Sequence, residues 1–225
     1  MQAEGRLAEK LQTETDRLAA EFPHKLDQSW AFRVRDPELE AAAAGAFHYG
    51  VPFDAILEIF REDGGDLSGL VPLLGGFAER LGDTIRPAAS AALVATEHVI
   101  MPGFGSLLIV IANRRLPKFD HEEFVKYWHG HHGPFAESIQ PEGLGFGYRQ
   151  AHADMALSAQ FAREAGLGIS DFDGAAETYW IDADRLRNLM GTKELVDQTT
   201  ADERNFVDHA RCVTSLFDIA SWSTR

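Results

Sequence analysis

The strongest constraint on the fold is an order of helices and strands that occurs twice along the 225-residue chain. Apolar residues at helical spacing predict helices, and short alternating or continuous apolar runs predict strands. In each half a helix, a strand, a short helix, a strand, a longer helical stretch and a strand follow one another. The second half alone has an extra strand in front. The predicted helices are 2–21, 36–45, 67–81, 120–132, 154–166 and 184–208, and the predicted strands are 30–34, 53–60, 91–101, 107–113, 144–150, 172–181 and 213–222.

Short sequence matches support a duplication, because they occur at corresponding places in both halves. The clearest is Phe-Asp-x-x-x-Glu, which stands at 53–58 and again at 172–177. Similarity in register is the signature of an internal repeat. Chance similarity between two α+β segments is the alternative. The other matching pairs are Phe32-Arg33 with Tyr148-Arg149, Gly45 with Gly166 at the ends of the short helices, and Asp83-x-x-Arg86 with Asp208-x-x-Arg211.

The second half has the element order of a ferredoxin-like fold, in which helices cover one face of an antiparallel sheet. The other face of such a sheet stays apolar and needs a partner. We therefore predict an α+β protein of two ferredoxin-like repeats, residues 1–104 and 105–225, whose two sheets enclose a cavity. The first repeat lacks a strand equivalent to 107–113. Either its sheet is one strand short, or another chain supplies the strand in a homodimer.

Composition limits the partners of the chain. The net charge of −14 argues against a nucleic-acid surface and against binding to anionic lipid, so a small neutral or hydrophobic ligand fits better. The apolar runs are too short to span a bilayer, and the charged N-terminus does not resemble a signal peptide, so we expect a cytoplasmic protein. The single cysteine, Cys212, excludes an internal disulfide framework and is expected to be a buried structural thiol.

One stretch, residues 119–134, concentrates titratable side chains. Asp120 and Glu123 form an Asp-x-x-Glu capping box that predicts a helix start. Gly133-Pro134 is expected to end this helix, which places His131 and His132 in its last turn. The negative end of the helix dipole would raise the basicity of an imidazole there.

The same stretch resembles the EthD family of dimeric α/β-barrel proteins. The family's run is an acidic helix start, a Phe, a Tyr-Trp pair, and a His followed by a small residue and Pro. Phe124, Tyr127-Trp128, His132 and Gly133-Pro134 fill these positions, and residues 205–211 add to the likeness. The resemblance covers residues 105–225, and it extends to the first half only by internal analogy. It implies that the tandem repeats form an intrachain pseudo-dimeric α/β barrel.

The resemblance also implies a ligand cavity between sheet and helices, with the motif His at or near it. Relatives include cofactor-independent polyketide cyclases, monooxygenases, decarboxylases and muconolactone isomerases, and haem-binding cousins exist. The opening helix of the first half has neither the Tyr-Trp pair nor the His-x-Pro run. We therefore expect one site, in the second half, with the first half as a scaffold.

His132 and Tyr148 are the predicted catalytic residues. Near neutral pH an imidazole can accept and return a proton, which suits enolisation, ring closure or decarboxylation. The alternative is that His132 caps the helix end and packs on Trp128. Tyr148 could donate a hydrogen bond to a substrate oxygen, or it could be a core aromatic. Tyr148 and Arg149 are neighbours on one strand, so only one of them can point into the cavity.

Further residues are predicted to line the ligand site. Phe124, Tyr127 and Trp128 would shape its wall or the packing behind it. His129 and His131 are expected to be solvent-facing neighbours, and His121 lies in the first turn of the helix. The spacing of His129, His131 and His132 does not match a metal site. The lining candidates outside this helix are His98, Asp173 and Glu177, although the matching Glu58 favours a structural role for Glu177.

The sequence therefore predicts a small-molecule protein that performs proton-transfer chemistry on a hydrophobic or aromatic substrate, without metal or cofactor. Two alternatives remain open. One is a non-catalytic ligand-binding or assembly protein in which the histidine cluster is structural. The other is a haem- or metal-dependent oxidoreductase, for which one His would suffice as a proximal haem ligand.

Overall fold

A computed structural model of the protein describes residues 2–39, 50–61, 63–139, 147–190 and 192–219. Within these ranges the chain forms seven strands and the helices that cover them. The strands are β1 (Leu26–Arg33), β2 (Ala55–Arg61), β3 (Ala95–Met101), β4 (Leu107–Asn113), β5 (Gly147–Ala153), β6 (Gly174–Trp180) and β7 (Val213–Asp218). The α-helices are α1 (Gln2–Glu21), α2 (Phe77–Leu81), α3 (His121–Tyr127), α4 (Gly133–Ile139), α5 (Met155–Ala165), α6 (Ala183–Met190) and α7 (Lys193–Glu203).

The strands form one sheet in the order β2-β1-β7-β4-β6-β5-β3, and every pairing in it is antiparallel. The four strands of the second half lie together in the middle of this sheet, and strands of the first half flank them on both sides. From the first half, β1 joins β7 on one side and β3 joins β5 on the other. The protein is therefore α+β, as predicted, but its two halves share a continuous sheet.

The central strand β4 is covered on both faces of the sheet. Its sequence, Leu-Leu-Ile-Val-Ile-Ala-Asn, is buried at every position. β-Branched and apolar residues on both sides of a strand are typical of a strand that is covered on both faces. We call the face that carries Leu108 and Val110 the inner face, and the face that carries Ile109 and Ile111 the outer face.

Helices cover the outer face in two groups, each with its own apolar core. Helix α1 and the segment 68–81 pack on β1 and β2, with Leu18 and Trp30 among the buried side chains. Helices α3, α4, α6 and α7 pack over the middle of the sheet, where Phe124, Trp128 and Phe206 are buried.

The inner face carries a smaller apolar cluster, and the sheet curls around it. Ile56 of edge strand β2 and Ala95 of edge strand β3 both pack against this cluster. Opposite edges of the sheet therefore approach each other on this face. The buried apolar residues of the inner face are Ala31, Leu108, Val110, Ala151, Ala175, Tyr179 and Phe217.

Several predicted elements differ in extent from those observed. The stretch 67–81 is a 3₁₀ helix (Ser68–Leu74) followed by α2, because Pro72, Gly75 and Gly76 interrupt a regular α-helix. The predicted helix 184–208 is two helices, α6 and α7, and Thr192 before α7 has a non-helical backbone. Most of the predicted helix 36–45, the start of the strand 144–150 and the end of the strand 213–222 lie outside the described residues.

The predicted end of the helix at Gly133-Pro134 is wrong. Helix α3 continues through a wider π-type turn (Trp128–His132) directly into α4. Gly133 is helical (φ −57°, ψ −59°), and Pro134 follows it as the second residue of α4. His131 and His132 consequently lie inside a continuous helical segment and do not occupy a free helix end.

Candidate functional site

The π-type turn brings His132 against Asp202 of helix α7. The His132 Nδ1 atom lies 2.7 Å from Asp202 Oδ2. Tyr127 donates its hydroxyl hydrogen to Asp202 Oδ1 at 3.0 Å, and His131 Nε2 lies 3.4 Å from the same oxygen. Both Asp202 oxygens are therefore engaged by side chains of α3 and its turn, and His132 is buried.

This contact fixes the orientation and tautomer of His132. An ionised carboxylate can only accept hydrogen bonds, so Nδ1 carries the hydrogen that Asp202 accepts. Burial alone would raise the pKa of Asp202, but the hydrogen bonds from His132 and Tyr127 and the nearby imidazoles hold it below its ordinary value. In the neutral ring Nε2 is then a lone-pair acceptor, and no side chain or backbone group in the described ranges binds it. The arrangement is that of an oriented general base.

Tyr148 lies next to His132 on the outer face of β5. The two rings meet edge to face with centroids 6.4 Å apart. Trp128 Nε1 donates to the Tyr148 hydroxyl oxygen at 3.0 Å, and Gln150 Nε2 donates to it at 2.9 Å. These donors occupy the oxygen's acceptor positions, and no described residue accepts the hydroxyl hydrogen.

Burial raises the pKa of Tyr148 far above its ordinary value, so the hydroxyl stays protonated. A buried phenol that receives two hydrogen bonds is a stronger donor, because bonds in a chain polarise one another. Tyr148 can therefore donate a hydrogen bond to an oxygen atom of a ligand.

The three aromatic residues predicted to shape the site pack in the core beside His132, to which Phe206 connects them. Phe124 stacks against Trp128 at 5.4 Å between ring centroids, and Tyr127 against Phe206 at 5.0 Å. Phe206 also lies 5.2 Å from the His132 ring. These contacts belong to the apolar core under α3 and α7. The aromatic residues thus hold the hydrogen-bonded pair of His132 and Asp202 in place as part of the core.

His98 is near this site, in a second group of imidazoles. Its ring lies 4.8 Å from that of His129 and 4.3 Å from that of His152, and His152 lies 5.1 Å from Trp128. Burial, followed by the charges of the neighbouring imidazoles, lowers the pKa of His152 to about 4. Since Gln150 donates its amide hydrogens elsewhere, its Oε1 accepts from His152 Nε2 at 3.0 Å. In the described ranges no three side chains of metal-binding type are placed to hold a metal ion.

The structure places Asp173 and Glu177 apart from His132. Asp173 is buried, and its carboxylate is bound by the Arg115 guanidinium, the Arg115 backbone N–H and His121 Nδ1. Its contacts are those of a structural ion pair. Glu177 is on the inner face of β6, so the sheet itself separates it from the His132 side. The same alternation puts Tyr148 on the outer face and Arg149 on the inner face.

Sequence reasoning missed Asp202, Phe206, Gln150 and His152. Asp202 lies 70 positions after His132 in a polar helix, and no local spacing links the two residues. His152 and Gln150 follow Tyr148 at alternate positions of β5, so strand periodicity alone would have placed them on the same face. The exposed side chains of His129 and His131 agree with the prediction, although both contact the site.

None of the described helices is long and apolar enough to cross a membrane. Comparison with curated proteins found no match, and comparison with solved structures found none. Comparison with protein families matched residues 116–210 to the EthD domain. The matched range runs from just before the capping box of α3 to just before β7, and it includes His132, Tyr148 and Asp202. This match, together with the motif, supports the assignment of residues 116–210 to the EthD family.

Proposed function

We propose that the protein is an enzyme that moves a proton within a small hydrophobic or aromatic substrate bound at the outer face of β5. The observation that carries this proposal is the bond between His132 Nδ1 and Asp202, which leaves Nε2 free to accept a proton. Tyr148 beside it offers a hydroxyl hydrogen that no described residue accepts. A base and a hydrogen-bond donor on one side of a substrate carbonyl are the groups that enolisation needs.

In the proposed reaction His132 Nε2 takes a proton from the carbon next to a substrate carbonyl. The electron pair of that C–H bond moves into the carbonyl, and Tyr148 donates a hydrogen bond to the oxygen that becomes negative. Asp202 stabilises the imidazolium that forms. If a C=C bond is conjugated with the enolate, His132 returns the proton to the far end of that system, which gives an isomer. Alternatively the enolate carbon attacks a second carbonyl within the substrate, which closes a ring, and the alkoxide that forms takes the proton back from His132.

We further propose that the sheet is the incomplete barrel of a duplicated protein. The order β7-β4-β6-β5 is that of one ferredoxin-like unit, and β1, β2 and β3 would be the counterparts of β5, β6 and β7. The pairings β1 with β7 and β3 with β5 would then be the junctions between the two units. Glu58 and Glu177, which occupy matching positions in the sequence, face the same interior. Strand β4 would have no counterpart in the first unit.

The burial of His132 and its surroundings favours a second candidate, a protein that binds a ligand without converting it. His132 is 5% exposed and Trp128 is 1% exposed, and both contact a tightly packed aromatic core. Such packing stabilises a fold whether or not a reaction takes place. The two candidates differ in what happens when only the proton acceptor is removed.

Deuterium exchange at the acidic carbon of 2-tetralone in D₂O, followed by NMR, distinguishes them. The wild-type protein is expected to accelerate exchange over buffer. His132→Gln keeps a polar side chain of similar size but no base, and it is expected to lower the rate by about 10²- to 10⁴-fold. Asp202→Asn is expected to lower the rate, because the His132 ring is no longer held with its hydrogen on Nδ1. Tyr148→Phe is expected to lower the rate by about 10²-fold, because the hydroxyl that donates a hydrogen bond to the substrate oxygen is lost.

The matched control is His24→Gln, because His24 is exposed and its ring contacts Phe22, not the residues around His132. Melting temperatures measured on the same samples separate loss of catalysis from loss of fold. Exchange that continues at the wild-type rate in folded His132→Gln would show that His132 is not the base. A wild-type rate equal to that of buffer would favour the non-catalytic candidate.

A further inference from the structure

We propose that Gln150 is a positioning residue of the outer-face site, which directs the Tyr148 hydroxyl hydrogen towards the substrate oxygen through a chain of hydrogen bonds from His152 to Gln150 to Tyr148. This inference rests on the proposed function, because it concerns the group that donates a hydrogen bond in that reaction. It gives a role to a fully buried polar side chain that acts through another residue.

Three hydrogen bonds fix the orientation of the Gln150 amide. Its Nε2 donates to the Trp128 carbonyl oxygen at 3.2 Å and to the Tyr148 hydroxyl oxygen at 2.9 Å, and its Oε1 accepts from His152 Nε2 at 3.0 Å. The oxygen and the nitrogen of an amide have nearly the same shape, so their partners decide which is which. A backbone carbonyl only accepts, so the amide atom that faces Trp128 is the nitrogen. Only this orientation satisfies all three bonds.

The orientation of Gln150 determines where the Tyr148 hydrogen can go. The hydroxyl oxygen receives hydrogens from Gln150 Nε2 and from Trp128 Nε1, at 2.9 and 3.0 Å. A hydroxyl has two acceptor positions and one hydrogen, so the hydrogen is left in the one remaining direction. If the amide were turned over, its oxygen would face the hydroxyl and accept that hydrogen. A substrate oxygen would then lose the donor that the proposed reaction requires.

His152 opposes such a turn of the amide. Burial, followed by the charges of neighbouring imidazoles, lowers the pKa of His152 to about 4, so near neutral pH the ring is neutral and carries one hydrogen. An amide oxygen only accepts, so this hydrogen is on the Nε2 atom that faces Gln150 Oε1. A turned-over amide would bring two donors together at this contact. His152 therefore stabilises the orientation in which Gln150 donates to Tyr148.

Both halves of the protein enclose this chain of hydrogen bonds. His98 on β3, in the first half, is the cross-strand neighbour of Gln150, and its ring lies 4.3 Å from that of His152. From the second half, the Trp128 ring lies 5.1 Å from His152. Trp128 packs on Gly174 of β6, where a Cβ would lie only 2.7 Å from Trp128 Cζ3. Gln150 is 0% exposed, so water does not compete for its hydrogen bonds.

Deuterium exchange of 2-tetralone, with kcat and KM determined separately, tests the role of Gln150 in the full chain. In Gln150→Glu the ionised carboxylate can only accept, so it takes the Tyr148 hydrogen. We expect kcat to fall by about 10²-fold, as in Tyr148→Phe, and KM to change by less than about threefold, because the bond to the substrate strengthens as its oxygen becomes negative. Gln150→Met is similar in size and at most a weak acceptor, and its kcat is expected to fall by only about three- to tenfold.

A double variant separates positioning from packing. If Gln150 acts through the Tyr148 hydroxyl, adding Gln150→Glu to Tyr148→Phe is expected to lower kcat by less than about threefold more, because no hydrogen is left to capture. A further loss of about 10²-fold would overturn the proposal. The matched control is Gln28→Glu, since Gln28 on β1 is also buried and donates to a backbone carbonyl, that of Thr15, at 3.0 Å. This control is expected to lower the melting temperature and to leave kcat unchanged.

¹⁵N NMR of the histidine side chains in the wild type adds a measurement that needs neither turnover nor a variant. Near neutral pH His152 is expected to be neutral, with its hydrogen on Nε2, and a hydrogen on Nδ1 instead would overturn the proposal. If Gln150→Glu does not fold, Gln150→Met with and without Tyr148→Phe takes its place, and an equal fractional loss of kcat in both backgrounds would count against Gln150.

The outcomes also separate this inference from the proposed function. An unchanged kcat in folded Gln150→Glu, together with an inactive His132→Gln, would remove the role of Gln150 and leave the proposed function standing. A wild-type rate equal to that of buffer would remove both.

Discussion

At the scale of single residues, the hydrogen bond from His132 to Asp202 determines what the outer-face site can do. Without a partner on Nδ1 a neutral imidazole exchanges its proton between two nitrogens, and neither is reliably a base. Asp202 removes this ambiguity by accepting the Nδ1 hydrogen. Tyr127, on the helix that leads into the turn of His132, holds Asp202 in place. The buried carboxyls of the inner face, Glu58 and Glu177, behave differently, because burial raises their pKa and favours the protonated form.

Glu58→Gln is expected to flatten the dependence of stability on pH. The pKa of Glu58 is raised from 4.5 to about 8, so the folded protein keeps a proton that the unfolded chain releases. The stabilisation is fully present below pH 4.5 and is lost as pH rises towards about 8. The slope for one such group is at most about 1.4 kcal/mol per pH unit.

Urea unfolding of the wild type and Glu58→Gln at several pH values between about 5 and about 8 measures this difference. The free energy of unfolding of the wild type is expected to fall more steeply with rising pH than that of the variant. Parallel curves would mean that Glu58 ionises as readily in the folded protein as in the unfolded chain.

At the scale of elements, the beginning of α3 was predictable and its continuation was not. The capping box is a local pattern, and the structure contains both of its hydrogen bonds, at 2.8 and 3.0 Å. The π-type turn depends on tertiary packing. Trp128 must reach Tyr148, and His132 must reach Asp202, which no pattern within 119–134 specifies. Sequence reasoning therefore identified His132 by its motif but could not find its partner.

Asp120→Ala is expected to destabilise the protein by about 1 kcal/mol, within a range of about 0.5–2 kcal/mol, because it removes the acceptor for the Glu123 backbone N–H. Equilibrium unfolding in urea measures the change. Glu122→Ala, in the same turn and without a part in the capping box, is the control. An equal loss in both variants would attribute the effect to the charge of the helix start and not to the cap.

At the scale of the whole molecule, the two halves cooperate in one sheet. Sequence periodicity identified every described strand to within a few residues, and it gave the α+β class correctly. It did not give the joining of β1 to β7 or of β3 to β5, because pairing between distant strands leaves no local signal. The division into domains at residue 104 remains a prediction.

A fragment of residues 105–225 tests that division. Without the first half, β7 loses β1 and β5 loses β3, so strand edges that are paired in the full chain become exposed. The fragment is expected to associate through these edges and to melt at a lower temperature than the full chain. Size-exclusion chromatography with light scattering and thermal melting measure both effects. A monomeric fragment that melts like the full chain would show that the second half is an independent domain.

The strand order has one more consequence, which concerns how the inner face is reached. With seven described strands that alternate in direction, the two edge strands β2 and β3 run the same way. They cannot join by the antiparallel pairing used everywhere else in the sheet. An odd number of strands thus leaves a seam along the side of the molecule, with the exposed Phe60 on one border and Val99 on the other. The inner face is therefore bordered by a seam, and closing that seam by antiparallel pairing alone would require an eighth strand between the two edge strands.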